Sequence, residues 1–172
     1  MKTQSRHDEM MGLAARALQH FEHQTTDLAP DIMSQPVAAY IDPARYQAER
    51  EGIFKQLPLA LALTLELPSP GDYKAMTVLE TPIILARNQT GEVKCFLNAC
   101  RHRGSRLCDD GCGAARVFSC PYHAWTYDAE GALIGRYGAE TFGEVDPADF
   151  HLTELPCAER CGLIWVTLTP SQ

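Results

Sequence analysis

Two short stretches hold the residues best able to do chemistry. Cys100-Arg101-His102 is followed, after 17 residues, by Cys120-Pro121-Tyr122-His123. Each stretch offers one thiolate and one imidazole. By donor type alone a tetrahedral zinc site of two cysteines and two histidines is compatible. The order of the donors argues for something else. A zinc finger groups its cysteines first and its histidines second, whereas here each stretch mixes the two. That mixing suits a binuclear iron–sulfur centre in which one iron takes both cysteines and the other both histidines. The other donor pairs carry less. His20 and His23 flank Glu22 at helical spacing and read as solvated side chains. Cys108 and Cys112, like Cys157 and Cys161, stand four apart. These four and Cys95 read as reduced thiols, with a second C-x3-C metal site as the alternative.

The surroundings of such a centre follow from composition. The chain has 172 residues, 45% hydrophobic and 22% charged, with a net charge of −7. This is the composition of one globular domain with a small appendage, and it excludes disordered and collagen-like classes. The acidic balance argues against nucleic acid and anionic membranes as partners. Arg6, His7, Asp8, Glu9 and Arg16 interrupt the N-terminus before a signal-peptide core can form. The most apolar run, Leu57 to Leu65, has nine residues, against the ~20 a spanning helix needs. A cytoplasmic protein is expected. In that reducing compartment an odd set of seven cysteines is no disulfide framework. The sequon Asn88-Gln89-Thr90 is expected to go unused.

The elements that must position the two stretches are mostly strands. Before them, Met11, Ala14, Leu18 and Phe21 share one face of a helix predicted over 8–24. A linker over 25–35 follows, ahead of Pro36. Asp42 as N-cap and Pro43 at the first helical position open a second helix. It is predicted to end near Gln56, with Tyr46, Ile53 and Phe54 on its buried side. The period then switches to two. Leucines at every odd position from Leu57 to Leu67 predict a half-buried strand. Strands are also predicted over 73–79, 82–87, 92–98, 116–119, 125–127 and 162–168. Val93, Cys95 and Leu97 should share one face. Turns fall at Pro68-Ser69-Pro70-Gly71, Asn88-Gln89-Thr90-Gly91 and Asp128-Ala129-Glu130-Gly131. Many short strands between Gly/Pro turns make the chain mainly β, an antiparallel sandwich or barrel with N-terminal helices outside it. The expected division is 1–35 as a helical extension and 36–172 as the domain.

The run Asn98-Ala99-Cys100-Arg101-His102-Arg103-Gly104, with Phe118-Ser119-Cys120-Pro121-Tyr122-His123-Ala124-Trp125-Thr126-Tyr127, resembles the Rieske [2Fe–2S] domain of ring-hydroxylating (aromatic) oxygenase α subunits. Pro70-Gly71-Asp72-Tyr73, Gly131-Ala132-Leu133 and Gly162-Leu163-Ile164-Trp165-Val166 extend the likeness over about residues 36–168. The resemblance implies that Cys100, His102, Cys120 and His123 ligate the cluster. It places Arg103, Tyr122, Trp125 and Tyr127 around them, with Trp125 packed on the cluster. It also implies that His123 is where the electron leaves. Respiratory Rieske proteins carry a further cysteine in each loop, joined as a disulfide; Ser105 and Tyr122 occupy those positions here. Their cluster-bonding serine is Trp125 here, while the tyrosine remains as Tyr127. Losing a donor to sulfur lowers the potential, which is expected near the low end of the Rieske range, about −150 mV. Ala124 replaces the usual glycine and should leave ligation intact.

Two neutral imidazoles in place of two thiolates make such a cluster easier to reduce than an all-cysteine one. The implied role is electron transfer within an oxygenase. A ferredoxin or flavin reductase would be the donor. A catalytic domain or subunit with a mononuclear iron would be the acceptor, and a homo-oligomer is an expected assembly. That acceptor iron needs two histidines and a carboxylate. His7, His20, His23 and His151 are the remaining histidines, and they form no credible triad. Hydroxylation is therefore expected to happen elsewhere. A free-standing Rieske ferredoxin is the alternative, followed by a zinc-binding interaction module. Arg101, Arg103 and Arg106 crowd the first loop with no acid between Ala99 and Leu107. They would either steer an acidic donor or serve local packing.

Overall fold

The computed structural model describes residues 5–170. It divides into two compact units, Met1–Ile41 and Asp42–Gln172. In the first, α1 (Arg6–His23) begins earlier than the apolar pattern predicts, because Ser5 caps it. Ser5 Oγ accepts the Asp8 N–H at 3.2 Å, and the Asp8 carboxylate accepts the Ser5 N–H at 3.3 Å. This reciprocal bonding satisfies two donors that the first helical turn leaves open. No residue of α1 is buried, and Phe21 is 75% exposed. Residues 25–35 carry no regular element, as the linker expectation had it, and a short α2 (Ala38–Ile41) follows.

In the second unit α3 spans Pro43–Glu49, with Asp42 Oδ1 accepting the Ala44 N–H at 2.9 Å. The expected continuation to Gln56 does not hold. A π-helical turn occupies Arg50–Phe54 around Gly52, and wider turns break the 3.6-residue phase. Tyr46, Ile53 and Phe54 are consequently exposed, not buried.

The predicted leucine strand is also corrected. β1 covers only Leu59–Leu63 and gives way to a 3-10 turn over Thr64–Glu66. Its pairing with β11 (Leu163–Val166) slips between Ala60 and Ala62. Such a slip moves side chains to the opposite face. Ala62 becomes the buried residue, while Leu63 and Leu65 are exposed. β10 (Cys157–Arg160) completes this antiparallel three-stranded sheet.

The central sheet has five antiparallel strands in the order β5-β2-β3-β4-β9. They are β2 (Asp72–Val78), β3 (Thr81–Arg87), β4 (Val93–Leu97), β5 (Gly111–Ala114) and β9 (Glu154–Leu155). A third sheet holds β6 (Val117–Ser119), β7 (Thr126–Asp128) and β8 (Leu133–Gly135) in chain order. The central sheet is covered on both faces, because successive strand residues alternate between two cores. Ile83, Leu85, Val93 and Cys95 pack with Ile164 and Val166 of the first sheet. Ile84, Ala86 and Phe96 pack with Phe118, Trp125, Tyr127 and Leu133 on the other side, together with Cys100 and Cys120. As expected, Val93, Cys95 and Leu97 share one face. That face lies opposite the two cysteines of the motif.

Arg87 ties two of the sheets. Its guanidinium, 8% exposed, donates to the carbonyls of Leu67 and Gly91. It also makes two bonds of 2.9 and 3.0 Å to the Glu159 carboxylate on β10. Bidentate charge-assisted pairs are among the stronger polar contacts in proteins.

Candidate metal centre

The two Cys/His stretches sit on loops that leave β4 and β6, and the loops fold the same way. The Cys100 N–H donates to the Ser105 carbonyl, and the Gly104 N–H donates back to the Cys100 carbonyl, both at 2.8 Å. In the second loop the Cys120 N–H donates to the Trp125 carbonyl at 2.8 Å, and the Ala124 N–H to the Cys120 carbonyl at 2.9 Å. The fifth residue of each turn has positive φ, 72° at Gly104 and 52° at Ala124. Glycine fits that conformation without penalty; alanine bears its steric cost. Each cysteine therefore begins the same turn, closed by the same pair of backbone bonds.

The two thiols come within hydrogen-bonding reach of each other. Burial pushes the Cys100 thiol up, against bonds from the Tyr127 hydroxyl and the His102 N–H. Burial acts on Cys120 too, but N–H groups of His123 and Tyr122, with Cys100 and the Ser105 hydroxyl, hold it below the ordinary thiol value. Donors aimed at sulfur favour the thiolate, the form that binds metals.

The imidazoles meet on the other side. The rings of His102 and His123 lie 4.8 Å apart at 65°. Burial, then His123 and Arg103, lowers the pKa of His102, favouring its neutral ring. His123 Nδ1 is buried and has no hydrogen-bond partner. A buried, unpaired imidazole nitrogen is costly in an ordinary interior. It suits a nitrogen meant for a metal. Among the described residues, no three His, Cys, Asp or Glu side chains converge around a single ion. The two sulfurs approach each other, and so do the two imidazoles.

Aromatic rings frame the histidines. Trp125, 2% exposed, stacks on His102 at 5.0 Å and 14°. Phe142 meets the edge of His102 at 5.1 Å and that of Trp125 at 5.7 Å, while Phe150 lies 5.4 Å from Trp125. Tyr127 is fully buried. Its hydroxyl accepts the Arg101 N–H at 3.0 Å and lies 3.4 Å from Cys100 Sγ. Tyr122 lies against His123 with ring centroids 3.8 Å apart. Arg103 sits over Tyr122, 5.2 Å from its centroid. A cavity of about 560 Å³ opens beside His123, between Tyr122, Tyr137, Glu140 and Phe142.

All eight residues singled out from the sequence thus fall at one site. Three contributors were missed. Asn98, fully buried, holds the first loop by accepting the N–H of Leu107 at 2.8 Å and of Cys108 at 3.4 Å and donating to the Cys108 carbonyl at 2.8 Å. An asparagine two residues before Cys100 was the available signal. Phe142 follows one short 3-10 turn and Phe150 ends another, with no periodicity to mark them. Of the three loop arginines, Arg106 is engaged by Asp110 at 3.2 Å and Thr77 at 3.1 Å. Arg101 is exposed and has no ion pair among the described residues. Cys112 and Cys161 are exposed, on β5 and on the β10–β11 turn. Burial pushes the Cys157 thiol up to about 11.

Residues 58–142 match the family model of the Rieske [2Fe-2S] domain. The chain is 36% identical over 127 residues to chlorobenzene dioxygenase subunit alpha of Cupriavidus sp. (strain PS12), covering 73% of this chain and 28% of that protein. It is 34% identical over 164 residues to the glycine betaine monooxygenase oxygenase subunit of Chromohalobacter salexigens, covering 91% and 36%. The crystal structure of naphthalene 1,2-dioxygenase from Rhodococcus sp. bound to indole superposes with a TM-score of 0.74 at 32% identity, covering 96% of this chain and 36% of that one. The chain spans about a third of the length of these relatives.

Proposed function

On the premise that residues 58–142 make the chain a member of the Rieske [2Fe–2S] domain family, we propose that it is the electron-transfer part of an α-subunit-type oxygenase. Cys100 and Cys120 would hold one iron of the cluster, His102 and His123 the other. When bound, the cluster takes up and gives back one electron at a time. The buried, unpaired Nδ1 of His123 is the observation that carries the ligand assignment. The mixing of one thiolate and one imidazole in each loop favours it over zinc. Trp125 and Phe142 cover His102, with Phe150 packed on Trp125, and the N–H groups of His123 and Tyr122 stabilise charge on Cys120. The domain would extend beyond the matched segment across 36–172, with 1–35 as a helical extension. β9 and β11 support the C-terminal limit, since each pairs with a strand of the core.

In this reading the donor is a ferredoxin or flavin reductase, drawn by Arg101 and Arg103. The acceptor is a mononuclear iron in a catalytic domain or subunit, reached through His123. The assembly is a cytoplasmic homo-oligomer. Among the described residues no helix is long and apolar enough to cross a membrane. The substrate class is an aromatic hydrocarbon, supported by the relative named for chlorobenzene. Turnover of glycine betaine but no arene by the assembled oxygenase would overturn that part. The ligand set is tested by the purified chain. Red-brown protein with iron and acid-labile sulfide in equal amounts, about two of each per chain, is expected. Replacing His102 or His123 by Ala should remove both. A colourless zinc protein refutes the assignment.

A further inference from the structure

The two metal-site loops are also joined by side chains on their outer rim. Arg103 Nη1 donates to the Tyr122 hydroxyl at 3.3 Å, and the guanidinium lies 5.2 Å over the Tyr122 ring. Tyr122 is 57% exposed on its outer side, while its ring lies against that of His123. Arg103 follows His102 directly, and Tyr122 precedes His123 directly. The contact therefore joins the two loops one residue away from each imidazole. The other side-chain contacts near the cysteines, from Tyr127 and Ser105, lie on the sulfur side. On the imidazole side, Trp125 and Phe142 pack on His102, whereas Tyr122 lies tilted against His123, 3.8 Å between centroids and 38° between planes, beside the edge-on ring of His102.

The geometry points to Arg103 and Tyr122 as a non-covalent latch that holds the His123 loop closed over the cluster. Both are positioning residues: they act on the group through His123. This rests on the reading that His102 and His123 are ligands. The cation–π contact of Arg103 with the Tyr122 ring supplies the hold. A cation over an exposed aromatic face contributes modestly, and a 3.3 Å bond between exposed groups adds little. The latch therefore governs how fast the loop opens more than whether the domain folds.

The test is loss of the visible circular-dichroism signal under excess ferrous chelator, in the full chain carrying its cluster. Arg103→Met and Tyr122→Leu should each accelerate loss roughly two- to fivefold, with the thermal midpoint of folding unchanged. The double variant should be no faster than the faster single one, because both remove the same contact. Tyr122→Phe, which keeps the ring under the guanidinium, should stay near the parent rate. Pulsed EPR of the reduced protein should show one of the two imidazole nitrogen couplings shifted in Arg103→Met, and the other unmoved. Single effects that multiply in the double variant, or no acceleration in either single variant, overturn the latch. A parent chain with no iron–sulfur chromophore overturns the ligand assignment itself, and is told apart by that.

Discussion

Replacing Tyr127 by Phe removes one oxygen from the site and nothing else. Tyr127 is fully buried on β7, opposite Phe118 and Leu133 in the third sheet, and phenylalanine keeps the ring and its packing. The lost hydroxyl has two partners, the Arg101 N–H at 3.0 Å and Cys100 Sγ at 3.4 Å. Burial, then the bond to Cys100, holds the Tyr127 hydroxyl far above the ordinary phenol value. It therefore remains a donor to sulfur throughout the working pH range. A neutral hydrogen bond is worth about 1 kcal/mol net, and one to a charged group about 1.5–3 kcal/mol. The sulfur is more negative when the cluster is reduced, so part of this energy belongs to the reduced state alone. If about 1 kcal/mol does, the one-electron potential falls by about 40 mV. Film voltammetry of parent and variant measures the difference directly. Denaturant unfolding should show a loss of about 1–2 kcal/mol, because the Arg101 N–H also loses its acceptor. A variant that keeps its cluster but has an unchanged or higher potential refutes the role of the hydroxyl.

Asn98→Ala deletes the side chain that satisfies two N–H groups and one carbonyl of the first loop. Burying those groups unpaired should cost about 2–4 kcal/mol in urea unfolding, and a loss below about 1 kcal/mol contradicts the pinning role. Ala124→Gly should raise stability by up to ~1 kcal/mol, since alanine at φ 52° bears a left-handed penalty that glycine avoids, partly offset by glycine's greater freedom when unfolded. The Arg87 guanidinium, hydrogen-bonded to both Glu159 carboxylate oxygens, holds that carboxyl below the usual carboxylate range. A carboxyl lowered on folding contributes stability above its unfolded value near 4.3, and that contribution is lost as pH falls through the lowered folded value. Glu159→Gln should therefore destabilise by about 1–3 kcal/mol at pH 7, with the gap narrowing in urea titrations below about pH 4; a gap independent of pH would show that the ion pair is not its source.

The site was legible because its chemistry dictates residue type at short range. A thiolate and an imidazole two or three positions apart can serve one centre whatever the rest of the chain does, so Cys100, His102, Cys120 and His123 stand out unaided. Strands β2, β3, β4, β6 and β7 were legible for a similar reason, being bounded by turns whose residues carry their own geometry. Asp128 illustrates it: its carboxylate accepts the N–H groups of Glu130 and Ala132 at 2.9 Å, and Gly131, with φ 81°, lies where a Cβ would meet the Phe96 ring at 2.6 Å. Turn and core there demand the same residue. The resemblance to oxygenase Rieske domains extended this to the sandwich as a whole.

What escaped the sequence depends on partners far away along the chain. The leucines from Leu57 to Leu67 carry a clean period of two, yet which face is buried is decided by β11, about a hundred residues later, through a slip between Ala60 and Ala62. The same holds for the second helix, where Gly52 and a π-helical turn break a phase that the apolar residues alone would extend. The aromatic wall is the functional counterpart. Phe142 reaches His102 from a segment 40 positions on, between turns too short to have a period. Its place is set by the pocket that Trp125 and His102 leave open, and a pocket is a property of the assembled loops. The equivalence of Gly104 and Ala124 was hidden for the same reason. Their residue types differ, and only the paired bonds closing on Cys100 and Cys120 show that one turn has been used twice. With the turn held constant, the histidine falls at the third position in one loop and at the fourth in the other. That one-residue offset explains how two like turns can face each other and present unlike surroundings, His102 beneath Trp125 and Phe142, His123 beneath the half-exposed Tyr122.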